Sequence, residues 1–188
     1  MKVVILSLLL FSAGINSVFA QNERFKALFV FNFAKHIEWP AEYTAGDFVI
    51  TILGNSPIFN ELKQNVEGKN AGNCTIKVNR ISNISGLKPC NILYIPIQQS
   101  NLLSAARKLL DGKSTLIITE KKGLITEGTD INLMQIEGRL QYEVSLKQME
   151  SKKLKISKKM LDLGIIYENA STRRMPVLES VDDASQPR

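Results

Sequence analysis

The chain contains one histidine and two cysteines, so its repertoire for nucleophilic or metal chemistry is small. A His-based dyad or triad has only His36 to use. That residue stands in His36-Ile37-Glu38-Trp39, at the end of an apolar helical stretch, with no Ser or Cys motif beside it. The structural reading is a side chain suited to the dipole at a helix C-terminus. One histidine with two separated cysteines also falls short of a zinc set, which combines several such ligands. The residues therefore point away from an enzyme and imply no metal and no cofactor.

Gly54-Asn55-Ser56-Pro57 is the segment best placed for a small ligand. It follows an apolar run of strand length and precedes a helical pattern, where backbone N–H groups can hold an anion. Gly54, Asn55 and Ser56 are the candidate binding residues. The loop lacks the glycine spacing of a dinucleotide fingerprint and the lysine of a phosphate loop. The competing reading is plain helix initiation, with Ser56 as N-cap and Pro57 in the first turn. Cys74 and Cys90 each open a strand-like run. An exported compartment permits a disulfide between them; the alternative is two buried thiols. Lys152, Lys153, Lys155, Lys158 and Lys159 make one late segment basic. This suits a solvated helix face, with a modest attraction to a membrane surface or an acidic partner as the alternative.

These residues need elements to position them. Phe25, Leu28, Phe29, Phe31 and Phe33 lie in a helical stretch that is apolar on more than one side, which Pro40 ends. Phe48–Leu53, Cys74–Ile81, Asn91–Ile97 and Thr115–Thr119 read as strands. Runs that are apolar throughout suit strands covered on both faces. Ile58–Val66 and Asn101–Leu110 read as the helices between them. Ile131–Ile136 and Leu140–Leu146 flank Glu137-Gly138-Arg139 and form a hairpin with a three-residue turn. Ser151–Leu163 reads as a basic amphipathic helix. The order predicts a three-layer α/β sandwich, its sheet mixed but mainly parallel, closed by a C-terminal hairpin and helix.

The first twenty residues read as an address. Lys2 precedes the apolar run Val3–Phe11, and Val18-Phe19-Ala20 places small residues where a signal peptidase reads them. The run is about half of the roughly 20 apolar residues that a membrane anchor needs. The expected organisation is a signal peptide over 1–20 cleaved after Ala20, one α/β domain over 21–170 and a flexible tail over 171–188. No later segment is long and apolar enough to cross a membrane. The 188 residues are 44% hydrophobic and 22% charged, which excludes a disordered chain. The formal net charge of +6 suits nucleic acid, anionic lipid or an acidic partner, and export argues against the first of these.

Several segments together resemble the YfiR family of bacterial periplasmic proteins. Lys26-Ala27-Leu28-Phe29-Val30-Phe31-Asn32-Phe33-Ala34-Lys35-His36-Ile37-Glu38-Trp39-Pro40 is similar to the family's N-terminal signature. The strand ending in Gly54 with Ser56-Pro57, the run Cys90–Ile95, Gly138–Val144 and Leu154–Leu161 resemble its later motifs. The resemblance covers roughly Arg24 to Ile166. It implies a periplasmic regulator without catalytic activity, which restrains a membrane-bound diguanylate cyclase through its periplasmic sensor region. It also implies a homodimer and sequestration by an outer-membrane lipoprotein, with cyclic-di-GMP, biofilm and motility as output. With two cysteines a second intrachain disulfide is excluded, and Lys158 replaces a serine of the family's closing helix. The first helix carries more aromatic surface than one small core obviously needs, so Phe29, His36 and Trp39 are the candidate partner or dimer surface; the competing reading is that these rings simply fill the core. The alternative function is a periplasmic small-molecule sensor using Gly54, Asn55 and Ser56.

Overall fold

The computed structural model describes residues 21–169 and 172–174. The expected signal peptide lies outside them, as do Ser171 and residues 175–188 of the expected tail. Residues 21–36 form helix α1. Short strand β1 (Ile37–Glu38) follows, then β2 (Phe48–Leu53), α2 (Ile58–Asn65), β3 (Asn70–Ala71) and β4 (Cys74–Ile81). Next come β5 (Ile92–Ile95), α3 (Leu103–Leu109), β6 (Leu116–Thr119), β7 (Ile131–Ile136) and β8 (Arg139–Ser145). The chain continues through α4 (Leu146–Ser151), β9 (Lys155–Ile156), α5 (Lys158–Leu161), β10 (Ile165–Asn169) and β11 (Thr172–Arg174).

Among the described residues one sheet holds nine strands in the order β11-β10-β8-β7-β6-β5-β2-β4-β3. The stretch from β4 to β7 is parallel. β8 then joins antiparallel, β10 pairs with it in parallel, and β11 and β3 pair antiparallel at the edges. The apolar runs are buried on both faces, as their lack of alternation requires. Phe48, Ile50, Ile52, Ile92, Tyr94, Leu116 and Ile118 face one core, roofed by Val30 and Phe33 of α1, Ile58 and Leu62 of α2, and Met149, Leu154 and Met160. Leu53, Leu93, Ile95 and Ile117 face a second core under Leu103 and Ala106 of α3. The three-layer sandwich with a mixed, mainly parallel sheet is therefore present.

Three local expectations are corrected. The basic helix over 151–163 does not form. Instead α4 stops at Ser151, and Lys153 takes a left-handed φ of 57°. Leu154 turns into the first core, and β9 pairs antiparallel with β1. Burial of Leu154 and this strand pairing outweigh the local helical pattern. The same pairing ends α1 at His36, before Pro40: the Ser157 N–H donates to the His36 carbonyl at 2.9 Å. The hairpin turn is shorter than expected. Glu137 and Gly138 both have positive φ, 51° and 76°, and Arg139 already pairs with Ile136. That is the backbone of a two-residue hairpin turn matching the twist of its strands. Finally, Thr172–Arg174, expected in the tail, form an edge strand on β10.

Candidate functional site

At the carboxyl end of β2, Gly54 adopts φ 80° and its N–H donates to the Ile81 carbonyl at 2.8 Å. The reversal brings the chain so close to the turn after β5 that a Cβ on Gly54 would lie 2.9 Å from Cγ of Gln99. Asn55 is exposed, and its Oδ1 accepts from Arg80 Nη1 at 3.2 Å. Ser56 is buried, and its carbonyl accepts from the Phe59 N–H at 3.1 Å. Pro57 occupies the cap of α2, with no side-chain capping bond. Gly54, Asn55 and Ser56 are thus brought together at the expected strand-to-helix turn, with Gln99 packed against Gly54 from the neighbouring crossover.

The aromatic residues of α1, and Trp39 just after β1, divide differently from the expectation. Trp39 is only 9% exposed and packs edge-on against Phe48 at 4.9 Å between ring centroids. Phe29 is half-buried, stacked on Phe33 and edge-on to Tyr142 at 5.2 Å. His36 is half-buried at the α1–β1 junction. Trp39 is therefore a core residue, and Phe29 serves the core with most of its ring. The surface falls instead to Phe25 and Leu28, which are 48% and 52% exposed. Leu28 lies on the side of α1 away from Val30, whereas Phe25 heads the Phe25–Phe29–Phe33 stripe, along which exposure falls from 48% to none towards Phe33. Phe25 forms a ridge between two clefts. One, about 480 Å³, lies between α1 and the β7–β8 hairpin, with Phe29, Arg139 and Leu140 in its wall. The other, about 370 Å³, lies on the α2 side, against Arg24, Leu28, Phe31 and Lys69.

Next to the first cleft, where α1 faces β7 and β8, sits an ionic cluster. Lys26 Nζ lies 2.7 Å from Glu23 Oε1 and 3.2 Å from Glu120 Oε2, and the Tyr94 hydroxyl donates to the other Glu120 oxygen. Burial lowers the Lys26 pKa, but Glu120 and Glu23 more than offset this and hold it above the usual lysine range. Burial also pushes the Tyr94 hydroxyl far above its ordinary value. The cluster ties α1 to the ends of β5 and β6. A second ion pair joins Lys152 to Asp130, whose side chain is wholly buried. Asp130 carries no signal of this role in the sequence, because nothing local marks a loop aspartate as buried.

Of the two readings of Cys74 and Cys90, the structure has the buried free thiols and not the disulfide. They belong to the two different cores, with the sheet between them, and β2 separates the strands they introduce. Cys74 Sγ donates to the Thr44 carbonyl at 2.9 Å. Burial raises the Cys90 thiol to about 12. Among the described residues no group of three or more His, Cys, Asp or Glu side chains is arranged to hold a metal ion. No helix among them is long and apolar enough to cross a membrane.

The fold and its engaged polar groups define an α/β sandwich domain in which the exposed Phe25 stands between two clefts. Residues 23–165 match the YfiR/HmsC-like family, and the chain belongs to it. That family comprises periplasmic regulators of cyclic-di-GMP signalling, which act through contact with a signalling protein. No curated protein matches the chain in sequence.

Proposed function

We propose that this protein is exported to the periplasm, with residues 1–20 as its cleaved signal, and there restrains a membrane-bound diguanylate cyclase by binding its periplasmic region. Restraint by binding needs no nucleophile and no cofactor. It needs a surface whose burial is worth more than its hydration. The observation that carries the reading is the pair Phe25 and Leu28, large apolar side chains about half-exposed on the first helix of a domain of this regulatory family. Exposed aromatic anchors of this kind dominate the energetics of protein interfaces. The partner surface expected from sequence on Phe29, His36 and Trp39 thereby moves towards the start of α1, to the flank that the core leaves open. A second copy of the chain and an outer-membrane lipoprotein are the further partners of this reading.

The test is cyclic-di-GMP in the host. Deleting the gene should raise its level, and the wild-type gene supplied in trans should restore it. Phe25→Ala with Leu28→Ala should fail to restore it while the protein still accumulates in the periplasm. A level unmoved by deletion would overturn the proposal.

A further inference from the structure

The two clefts have a charge pattern that says what they accept. The charged residues lining them are Arg139 in the first and Arg24 and Lys69 in the second, with no carboxylate in either lining. Of the acids on these elements, Glu23 and Glu120 pair with Lys26 and Glu67 pairs with Lys63, while Glu137 is exposed in the hairpin turn outside the lining. Among the described residues none of the three cations has a carboxylate within ion-pair distance. Lys69 is held in place, its ammonium 5.1 Å from the centre of the Phe31 ring. The remaining lining is largely apolar or neutral, from Phe25, Leu28, Phe29 and Leu140.

Taking the regulator reading as its basis, we infer that the clefts on either side of Phe25 receive an acidic, apolar segment of the partner protein. Its apolar side chains straddle the Phe25 ring, and its carboxylates meet Arg24, Lys69 and Arg139. Concavity favours a polypeptide over a lipid surface. An interfacial helix needs one continuous apolar face to lie in the headgroup plane, whereas here much of the apolar lining is recessed on both sides of a ridge. A peptide fills such grooves with alternate anchors, as helix-in-groove recognition does. The cations contribute orientation and encounter rate, so the complex should be salt-sensitive.

The experiment uses the exported chain and a fluorescent amphipathic peptide of about 15 residues, Leu on one face and Glu on the other, followed by anisotropy at about 50 and about 500 mM salt. The expected result is saturable binding that weakens about tenfold or more in Arg24→Glu with Lys69→Glu, in Arg139→Glu and in Phe25→Ala. The same peptide with Gln for Glu should bind correspondingly less. Unchanged thermal melts of these surface variants exclude misfolding. Absent binding, or binding indifferent to the charge reversals, overturns the inference. So does capture by phosphatidylglycerol vesicles without capture of the peptide, or a dimer in sedimentation that Phe25→Ala abolishes while peptide binding persists. The purified periplasmic region of the host's cyclase separates the two readings. If it binds regardless of the substitutions, the regulator reading stands and the acidic-segment inference falls. If the peptide binds as expected and the cyclase region does not, the reverse holds.

Discussion

Lys152, at the end of α4, places its ammonium 2.5 Å from the carboxylate of Asp130, which is fully buried at the start of β7. The same oxygen accepts the Ile117 N–H at 2.6 Å, and Lys152 also donates to the Thr115 carbonyl at 3.1 Å. One lysine thus fastens the C-terminal segment to the strand ends of β6 and β7.

Burial raises the Asp130 pKa, and Lys152 is the main force opposing that rise. A carboxyl held above its ordinary value, about 3.9, binds its proton more tightly when folded than when unfolded. The contribution of Asp130 to stability is therefore greatest at low pH and falls as pH climbs from the ordinary aspartate range through the raised value. Lys152→Met removes the opposing charge and widens that window. We expect a loss of about 3 kcal/mol at neutral pH. Below the raised value only about 1 kcal/mol should remain, for the bond to Thr115. Urea melts at several pH values measure it; an equal loss at all of them would show that the ion pair is energetically idle.

Phe25 and Phe29 are one helical turn apart but do different work. Phe29→Ala should cost about 3 kcal/mol, since it empties a place against Phe33 and Tyr142. Phe25→Ala should change stability by about 0.5 kcal/mol or less, yet weaken partner binding about tenfold or more. Thermal melts paired with a binding assay separate the two. Similar stability losses in both would move the partner surface elsewhere.

The thiols of Cys74 and Cys90 should remain reduced in protein isolated from the periplasm, because the sheet lies between them. Ellman's reagent should find both free after unfolding and react slowly before it, since thiolate at Cys90 is suppressed by a pKa of about 12. A melting temperature lowered by reductant would contradict this arrangement.

Gly54→Ala places a side chain at φ 80° and against Gln99. The expected destabilisation is about 1–3 kcal/mol. Gln99→Ala in the same chain should recover only part of it, because the terminal side chain can move while the backbone strain remains. Full recovery in a double-mutant cycle would assign the whole effect to crowding.

Much of the strand layout is legible in the sequence alone, for a local reason. Phe48–Leu53 and the cores of the β5 and β6 runs carry their burial in their own composition, whereas Cys74–Ile81 alternates and buries one face. A run that is apolar on both sides has to be covered on both sides wherever it lies. The turn at Gly54 is equally plain, since a glycine between a strand and a helix marks its own conformation. The same chain positions determine a family, because the motif from Lys26 to Pro40 and the later strand motifs are read in order along the sequence.

The remaining features depend on partners distant in sequence. Five lysines over residues 152–159 look like one helical face. Yet Leu154 is claimed by the first core, and Lys155 and Ile156 are claimed by β1, more than a hundred residues earlier. The first helix is apolar on more than one side, so its pattern could not say which rings the sheet would cover. Tertiary packing took Phe33 and Trp39, drew in most of Phe29 and left Phe25 and Leu28 outside. Packing also decided the cysteines, since neither spacing nor strand type records which face of the sheet a side chain will occupy. Local sequence sets how a segment must be covered; the sheet order and the helices laid on it decide what covers it and what stays free to meet a partner.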